Sequence, residues 1–282
     1  MEAAFFDLDK TVIAKASMVA FGRPLYNEGL ISRRTILRGL YGQLVYMHLG
    51  ASEQKLERMR ESVLALTKGW DQARVREIVR ETLEDIVEPI IYAEALELIE
   101  EHQAAGRRVF IVSASPEEIV LPLADFLGVD EAIASRAKVD DEGRYTGEME
   151  RYAYGPFKAD VMRDIAEAEG IDLAASYAYS DSYTDAPMLE VVGHPVAVNP
   201  DRVLLKLARE RDWEIRTFAR PVRLRDRMPV PDRNQALAGA GAAAIGAGLA
   251  VWWRLVRRPP PPSTWARVTR PAASLRRRLP GR

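Results

Sequence analysis

Two aspartates, Asp7 and Asp9, follow the apolar run "AAFF" and precede Thr11. Residues i and i+2 of an extended chain project to the same side, so one buried strand can deliver both carboxylates to one place. Further on, "RVFIVSAS" ends in Ser113 and Ser115, Lys158 follows the Gly155-Pro156 break, and "YAYSDSYTD" carries Asp181 and Asp185. Together these residues supply a candidate nucleophile, a second carboxyl, a hydroxyl, a cation and further carboxylates. That inventory suits phosphoryl transfer. An aspartate can attack phosphorus and form an aspartyl-phosphate. A second can protonate the leaving alcohol and then activate water. A lysine and a serine hydroxyl can hold the phosphoryl oxygens as charge redistributes. Crowded carboxylates repel unless a cation joins them, and Mg²⁺ both takes oxygen ligands and pairs with phosphate.

Taken singly, each residue has a plainer account. An aspartate at a strand end is most often a turn or cap residue. By itself Ser113 would be a strand-end hydroxyl, Lys158 a solvated helix residue, and Asp185 the cap of "APMLEVV". Ser115 is read as the cap of the helix that opens at Pro116. His48, His102 and His194 are scattered without zinc spacing and read as packing or surface residues. The chain has no cysteine, which excludes disulfides and thiol chemistry. Arg33, Arg34 and Arg38 could line the site, but a solvated helix face accounts for at least two of them.

The elements that must position these residues fall in two blocks. From about Ile13 to Ile90, apolar residues recur at three- and four-residue spacing, as in "SEQKLERMRESVLALT" and "DQARVREIVRETLEDIV", and predict helices. Ser52 and Asp71 stand where N-caps belong. After this block, strands and helices alternate, with a strand pair around the turn Asp141-Glu142-Gly143. Alternation predicts an α/β fold whose parallel sheet is covered on both faces, with ligands outside the carboxyl ends of the strands. The expected organisation is a catalytic core of residues 1–13 and 91–218, with residues 14–90 inserted as a helical cap.

Charge divides the chain further. Residues 1–218 carry 26 basic and 39 acidic side chains, and residues 219–282 carry 14 basic and 2 acidic. Residues 219–235 read as a basic linker, and residues 257–282 as a Pro/Arg-rich tail expected to be disordered. Between them, Ala236–Trp253 is an 18-residue run without charge, the length of a spanning helix. Residues 236–256 are therefore expected to form a transmembrane or membrane-associated helix that anchors a cytoplasmic catalytic body. A flexible Ala/Gly linker is the alternative. No nucleic-acid partner is expected, and the oligomeric state is left open.

"FFDLDKTV", "VFIVSAS", "GPFKAD" and "YSDSYTDAPML" resemble, in order, the four motifs of the haloacid dehalogenase-like hydrolases, over roughly residues 2–220. The helical insert is similar to the cap of their phosphoserine-phosphatase-like subgroup, the SerB family of subfamily IB. The resemblance implies a Rossmann-like core with Asp7 as nucleophile and Asp9 as general acid/base. It implies Mg²⁺ held by Asp7, the Asp9 backbone carbonyl and Asp181, with Asp185 supporting the metal through water. Ser113 and Lys158 would bind phosphate, and Thr11 would shape the first loop. The implied function is Mg²⁺-dependent hydrolysis of a small phosphomonoester, with a regulatory or developmental role open to it; a phospho-ligand sensor without turnover is the alternative. Two departures stand out. Phosphoserine phosphatases usually carry a glutamate about seven residues after the second aspartate, where this chain has "AKASM". Their fourth motif usually has glycine and asparagine where this chain has Ser180 and Thr184.

Overall fold

The computed structural model describes residues 1–32 and 53–220. The first strand, β1 (Ala3–Phe6), is buried along its whole length. Its alternate residues enter two different apolar clusters: Ala4 and Phe6 join one, Ala3 and Phe5 the other. A strand packed on both faces needs an unbroken apolar sequence, which is what "AAFF" supplies.

The remaining elements cover those two faces. Ser17–Ala20 (α1) and Gly22–Asn27 (α2) are short helices, followed by Glu53–Thr67 (α3) and Gln72–Val87 (α4). Then come α5 (Ala93–Ala104), β2 (Arg108–Pro116), α6 (Glu117–Leu127), β3 (Glu131–Val139) and β4 (Tyr145–Arg151). The described residues continue with α7 (Pro156–Glu169), β5 (Tyr177–Ser180), α8 (Ala186–Glu190), β6 (His194–Val198), α9 (Arg202–Glu210) and β7 (Glu214–Arg216). The seven strands form one sheet in the order β4-β3-β2-β1-β5-β6-β7. Only the β3–β4 pair is antiparallel. Residues of α4, α5 and α6 pack on one face and residues of α7, α8 and α9 on the other. The α/β reading of the sequence is therefore correct, including the β3–β4 hairpin at the Asp141-Glu142-Gly143 turn.

Asp71 caps α4 as expected, accepting the Arg74 N–H at 2.9 Å. The α3–α4 turn docks on the hairpin through backbone bonds from Gly69 N to Tyr145 O (2.8 Å) and from Gln72 N to Gly143 O (3.0 Å). The chain leaves β1 and returns to α5 through two paired segments. Ala14 N donates to Ile90 O at 2.7 Å, Tyr92 N donates to Val12 O at 3.0 Å, and Ile13 faces Ile91 across an antiparallel bridge. The expectations for Arg33, Arg34, Arg38, His48, Ser52 and residues 236–256 and 257–282 lie outside the described residues. Among the described residues, no helix is long and apolar enough to cross a membrane.

Candidate active site

β1 is the central strand, and its neighbours set the register of the site. Phe6 pairs with Ile111 of β2 on one side and with Tyr179 of β5 on the other. The residues just beyond each pair therefore emerge at the same carboxyl edge: Asp7, Ser113 and Asp181. The Asp7 N–H donates to Tyr179 O at 2.9 Å, which fixes the point where β1 ends.

Lys158 reaches this edge from α7, which packs on the face of the sheet that Ala3 and Phe5 enter. Gly155 sits at φ 58° and ψ −128°, a conformation that a side chain disfavours, and turns the chain into α7. Pro156 follows at the first helical position, where its missing N–H costs nothing. Lys158 lies in that first turn and is 2% exposed. Its ammonium donates to Asp7 Oδ1 at 2.6 Å and to Asp185 Oδ2 at 2.7 Å. The Ser180 hydroxyl also donates to Asp185 Oδ2, at 2.8 Å. Asp185 is the N-cap residue of α8 by position, but its side chain makes no cap bond and is spent on this cluster. Burial works against the Lys158 ammonium, yet Asp185 and Asp7 outweigh it and hold its pKa above the ordinary lysine value.

The carboxylates are under the opposite pressure. Burial pushes the Asp7 carboxyl up to about 7 against the pull of Lys158, and the charges of Asp185 and Asp9 add to the rise. Burial pushes Asp181 up to about 8, and Asp7 adds to it. The side-chain ion pair of Asp181 is with Lys10, at 3.8 Å. Thr11 Oγ1 lies 3.4 Å from Asp7 Oδ2, a long contact that leaves this oxygen the less engaged of the two. Ser113 is buried, and its oxygen accepts the Ser115 N–H at 3.1 Å. Its own O–H remains a donor.

Asp9 is held differently. Its Oδ1 accepts the Ser17 N–H at 2.8 Å, and its Oδ2 accepts the hydroxyls of Ser115 at 2.7 Å and Ser17 at 3.3 Å. This corrects the reading of Ser115 as a helix cap. Pro116 occupies the N-cap position of α6 with no side-chain cap bond, and the Ser115 hydroxyl turns to Asp9. Ser17 is a site residue that sequence reasoning misses. It belongs to "AKASM", a stretch notable only for lacking an acid, and its neighbours give no pattern that marks it.

A family model, the haloacid dehalogenase-like hydrolases, matches residues 4–190, and these contain all four clusters of site residues. The chain belongs to that family. Curated relatives agree in length as well as in sequence. The chain is 54% identical over 261 residues to the "inhibition of morphological differentiation protein" of Streptomyces azureus, covering 91% of this chain and 94% of that one. It is 50% identical over 258 residues to a "probable phosphatase" of Mycobacterium tuberculosis, covering 91% and 89%. It is 38% identical over 246 residues to a protein of the same organism named phosphoserine phosphatase, covering 86% and 79%.

The donor set of this hydrolase suits a hard cation. Asp7 and Asp185 share the buried Lys158 ammonium, and Asp181 pairs with the more exposed Lys10. Burial first, then the charge of neighbouring carboxylates, raises the pKa of Asp7 and Asp181, the mark of a crowding of negative charge. A divalent ion would relieve it. Among the described residues, no three His, Cys, Asp or Glu side chains gather as a metal cluster. A site of two carboxylates and one backbone carbonyl, as the family resemblance implies, does not require three.

Proposed function

We propose that this hydrolase is a Mg²⁺-dependent phosphatase that cleaves a small phosphomonoester through an aspartyl-phosphate on Asp7. The observation that carries the reading is the buried Lys158 ammonium bridging Asp7 and Asp185 at the sheet edge that Ser113 also reaches. A lysine so placed can trade one carboxylate contact for a phosphoryl oxygen without moving its chain. Asp7, the Asp9 carbonyl and Asp181 would hold Mg²⁺, with Asp185 behind them. The ion would supply charge neutralisation for the phosphoryl group and the carboxylates.

Catalysis by the chain's own residues then runs in two steps. A free oxygen of Asp7 forms a bond to phosphorus as the bond to the leaving oxygen breaks, and Asp9 gives that oxygen its proton. Water then attacks the same phosphorus, Asp9 takes its proton back, and the Asp7–phosphorus bond breaks to release phosphate. Ser113 and Lys158 hold the equatorial oxygens throughout. Thr11 shapes the first loop, which follows Asp7 and Asp9. Residues 14–90 act as the cap, closing over the substrate from the hinge at 12–14 and 90–92.

The relative named phosphoserine phosphatase makes an amino-acid phosphate a natural candidate, but "AKASM" offers no acid for the amine. An unpaired ammonium under a closed cap is costly. Phosphoserine is therefore not the best substrate, and the relative named for inhibiting morphological differentiation favours a regulatory role. Residues 236–256 tether the cytoplasmic enzyme to a membrane, aided by flanking arginines worth roughly 1 kcal/mol each near an anionic leaflet.

The test is phosphate release by the full-length protein from a panel of phosphoserine, sugar phosphates, phosphoglycerol, phosphocholine and nucleotides, with metal stripped and Mg²⁺ restored. Hydrolysis that survives metal removal, or a kcat/KM highest for phosphoserine, would refute the corresponding part. Fractionation addresses the tether: protein wholly soluble at low salt refutes it, and release by salt alone means adhesion through arginines.

A further inference from the structure

The four motifs end before residue 190, so nothing in them gives the chain after β7 a part in catalysis. The structure nevertheless spends many contacts on that stretch. We propose that Phe218, with Arg220 and Asn199, positions the active site by locking the cap hinge to the loop that carries Asp181. The inference rests on the phosphatase reading above and extends it to residues far from the motifs.

One arm of the lock runs through Asn199. This residue holds a left-handed φ of 44°, uncommon outside glycine. Its amide pairs with the Phe218 backbone in both directions, Asn199 Nδ2 to Phe218 O and Phe218 N to Asn199 Oδ1, each at 3.0 Å. Two residues on, the Asp201 N–H donates to Asp181 O at 2.8 Å, and Asp201 Oδ2 accepts the Tyr183 N–H at 2.9 Å. Displacing Asn199 therefore displaces the loop that presents Asp181.

The other arm runs to the hinge. Ala93 N donates to Arg220 O at 2.8 Å, and Glu94 Oε1 accepts the N–H groups of Ala219 and Arg220, both at 3.1 Å. The Arg220 guanidinium adds bonds to Glu94 at 3.2 Å and Glu97 at 2.9 Å. Phe218 is 5% exposed, belongs to the same apolar cluster as Val12, Ile13 and Ile91, and meets Tyr92 edge to face at 5.9 Å. Tyr92 N in turn bonds Val12 O, and Val12 N bonds Leu8 O at 3.0 Å, between Asp7 and Asp9. The two halves of the site, the Asp7–Asp9 loop and the Asp181 loop, thus meet at Phe218. A segment serving only to close the core would affect stability alone. A positioning segment changes turnover in protein that is still folded, because small misplacements of reacting groups are costly.

The experiment uses the full-length chain and p-nitrophenyl phosphate, with hydrogen exchange measured beside kinetics. Phe218→Ala is expected to lower kcat by about 10- to 100-fold, with KM changed by less than about twofold. Exchange should speed up at residues 12–14, 90–92 and 181–183. Phe218→Leu, which keeps most of the buried volume, should restore most of the turnover. Arg220→Ala cuts exposed bonds and should fold normally, with a loss of about two- to fivefold and faster exchange at 90–92 and 181–183. Unchanged kcat in folded Phe218→Ala overturns the proposal, as does faster exchange confined to 214–220. If Phe218→Ala does not fold, unchanged exchange at 90–92 and 181–183 in Arg220→Ala overturns it. Absence of turnover in the wild type would refute the phosphatase reading instead, and the exchange pattern would still decide the lock.

Discussion

Asp7 and Asp9 are two residues apart, yet their surroundings differ in kind. Asp7 is buried against a buried ammonium, with Asp185 completing the cluster. Asp9 is only partly buried and is cradled by two serine hydroxyls and one backbone N–H. An ion cluster of the first kind keeps its charges in place, because separating them inside the protein is expensive. A hydroxyl cradle can change partners, since each O–H rotates to suit what faces it. The first arrangement suits a group that must stay aligned with phosphorus. The second suits a group that must gain and lose a proton.

That contrast breaks most visibly in turnover. Asp7→Asn keeps the volume but removes the proposed nucleophile, and kcat should fall on the order of 10⁴- to 10⁶-fold. Asp9→Asn removes only the proposed proton shuttle and should cost about 10²–10⁴-fold. Phosphate-release kinetics on both variants measure the difference, and equal losses would mean that the two aspartates do not divide the work as proposed.

Stability gives the next largest effect. Lys158→Met leaves Asp7 and Asp185 buried without their cation, and unfolding in urea at neutral pH should show a loss of about 3–5 kcal/mol. A loss below about 1 kcal/mol would mean that water already reaches the cluster.

His102 calibrates these measurements from behind the sheet. It is 3% exposed, and Nε2 lies 2.7 Å from the Tyr179 hydroxyl. Burial first, then the charges of Arg107 and Arg216, push its pKa down to about 4. Below its ordinary value of about 6.5, the unfolded chain binds a proton that the folded chain refuses. The stability this histidine permits is therefore complete above pH 6.5 and declines as the pH falls toward 4, by on the order of 3 kcal/mol in all. His102→Gln should flatten that portion of the pH–stability curve. An unaltered curve would clear His102 as the source of that slope, and the raised Asp7 and Asp181 carboxyls cannot supply it, since protonating them favours the folded state as the pH falls.

The smallest effect sharpens the cradle. Ser115→Ala removes one of the three donors to Asp9, and kcat should fall by about 3- to 10-fold. Ser115→Thr, which restores the hydroxyl, should recover it. A loss as large as that of Asp9→Asn would make Ser115 more than an orienting group.

Much of this site is legible in the amino-acid sequence. A carboxylate after a continuous apolar run, a lysine just inside a Gly-Pro helix start and an Asp-rich strand end are local patterns, and local patterns follow from backbone periodicity. Ser17 and Phe218 are not legible there, because neither carries a local pattern. Ser17 matters through a contact to Asp9, eight residues away, and Phe218 through its pairing with Asn199. Ser115 misleads for the same reason. A serine ahead of a helix is a good cap on local grounds, and only the proximity of Asp9, 106 residues earlier in the chain, gives its hydroxyl a stronger partner.

By itself the sequence determined the α/β alternation, the order of the strands along the chain, and which side chains could take part in phosphoryl chemistry. These depend on apolar period, turn residues and the chemistry of single groups. The tertiary structure decided what the sequence left open: that β1 lies between β2 and β5, which brings Asp7, Ser113 and Asp181 to one edge. It also decided how each polar group spends its hydrogen bonds. Lys158 is buried between Asp7 and Asp185 and is not solvated, Ser115 serves Asp9 and not a helix, and the strap at 218–220 closes on the hinge. The physical reason is common to all three. A polar group removed from water must find a partner, and which partner lies within 3 Å is a property of the assembled sheet, set by residues tens to more than a hundred positions apart.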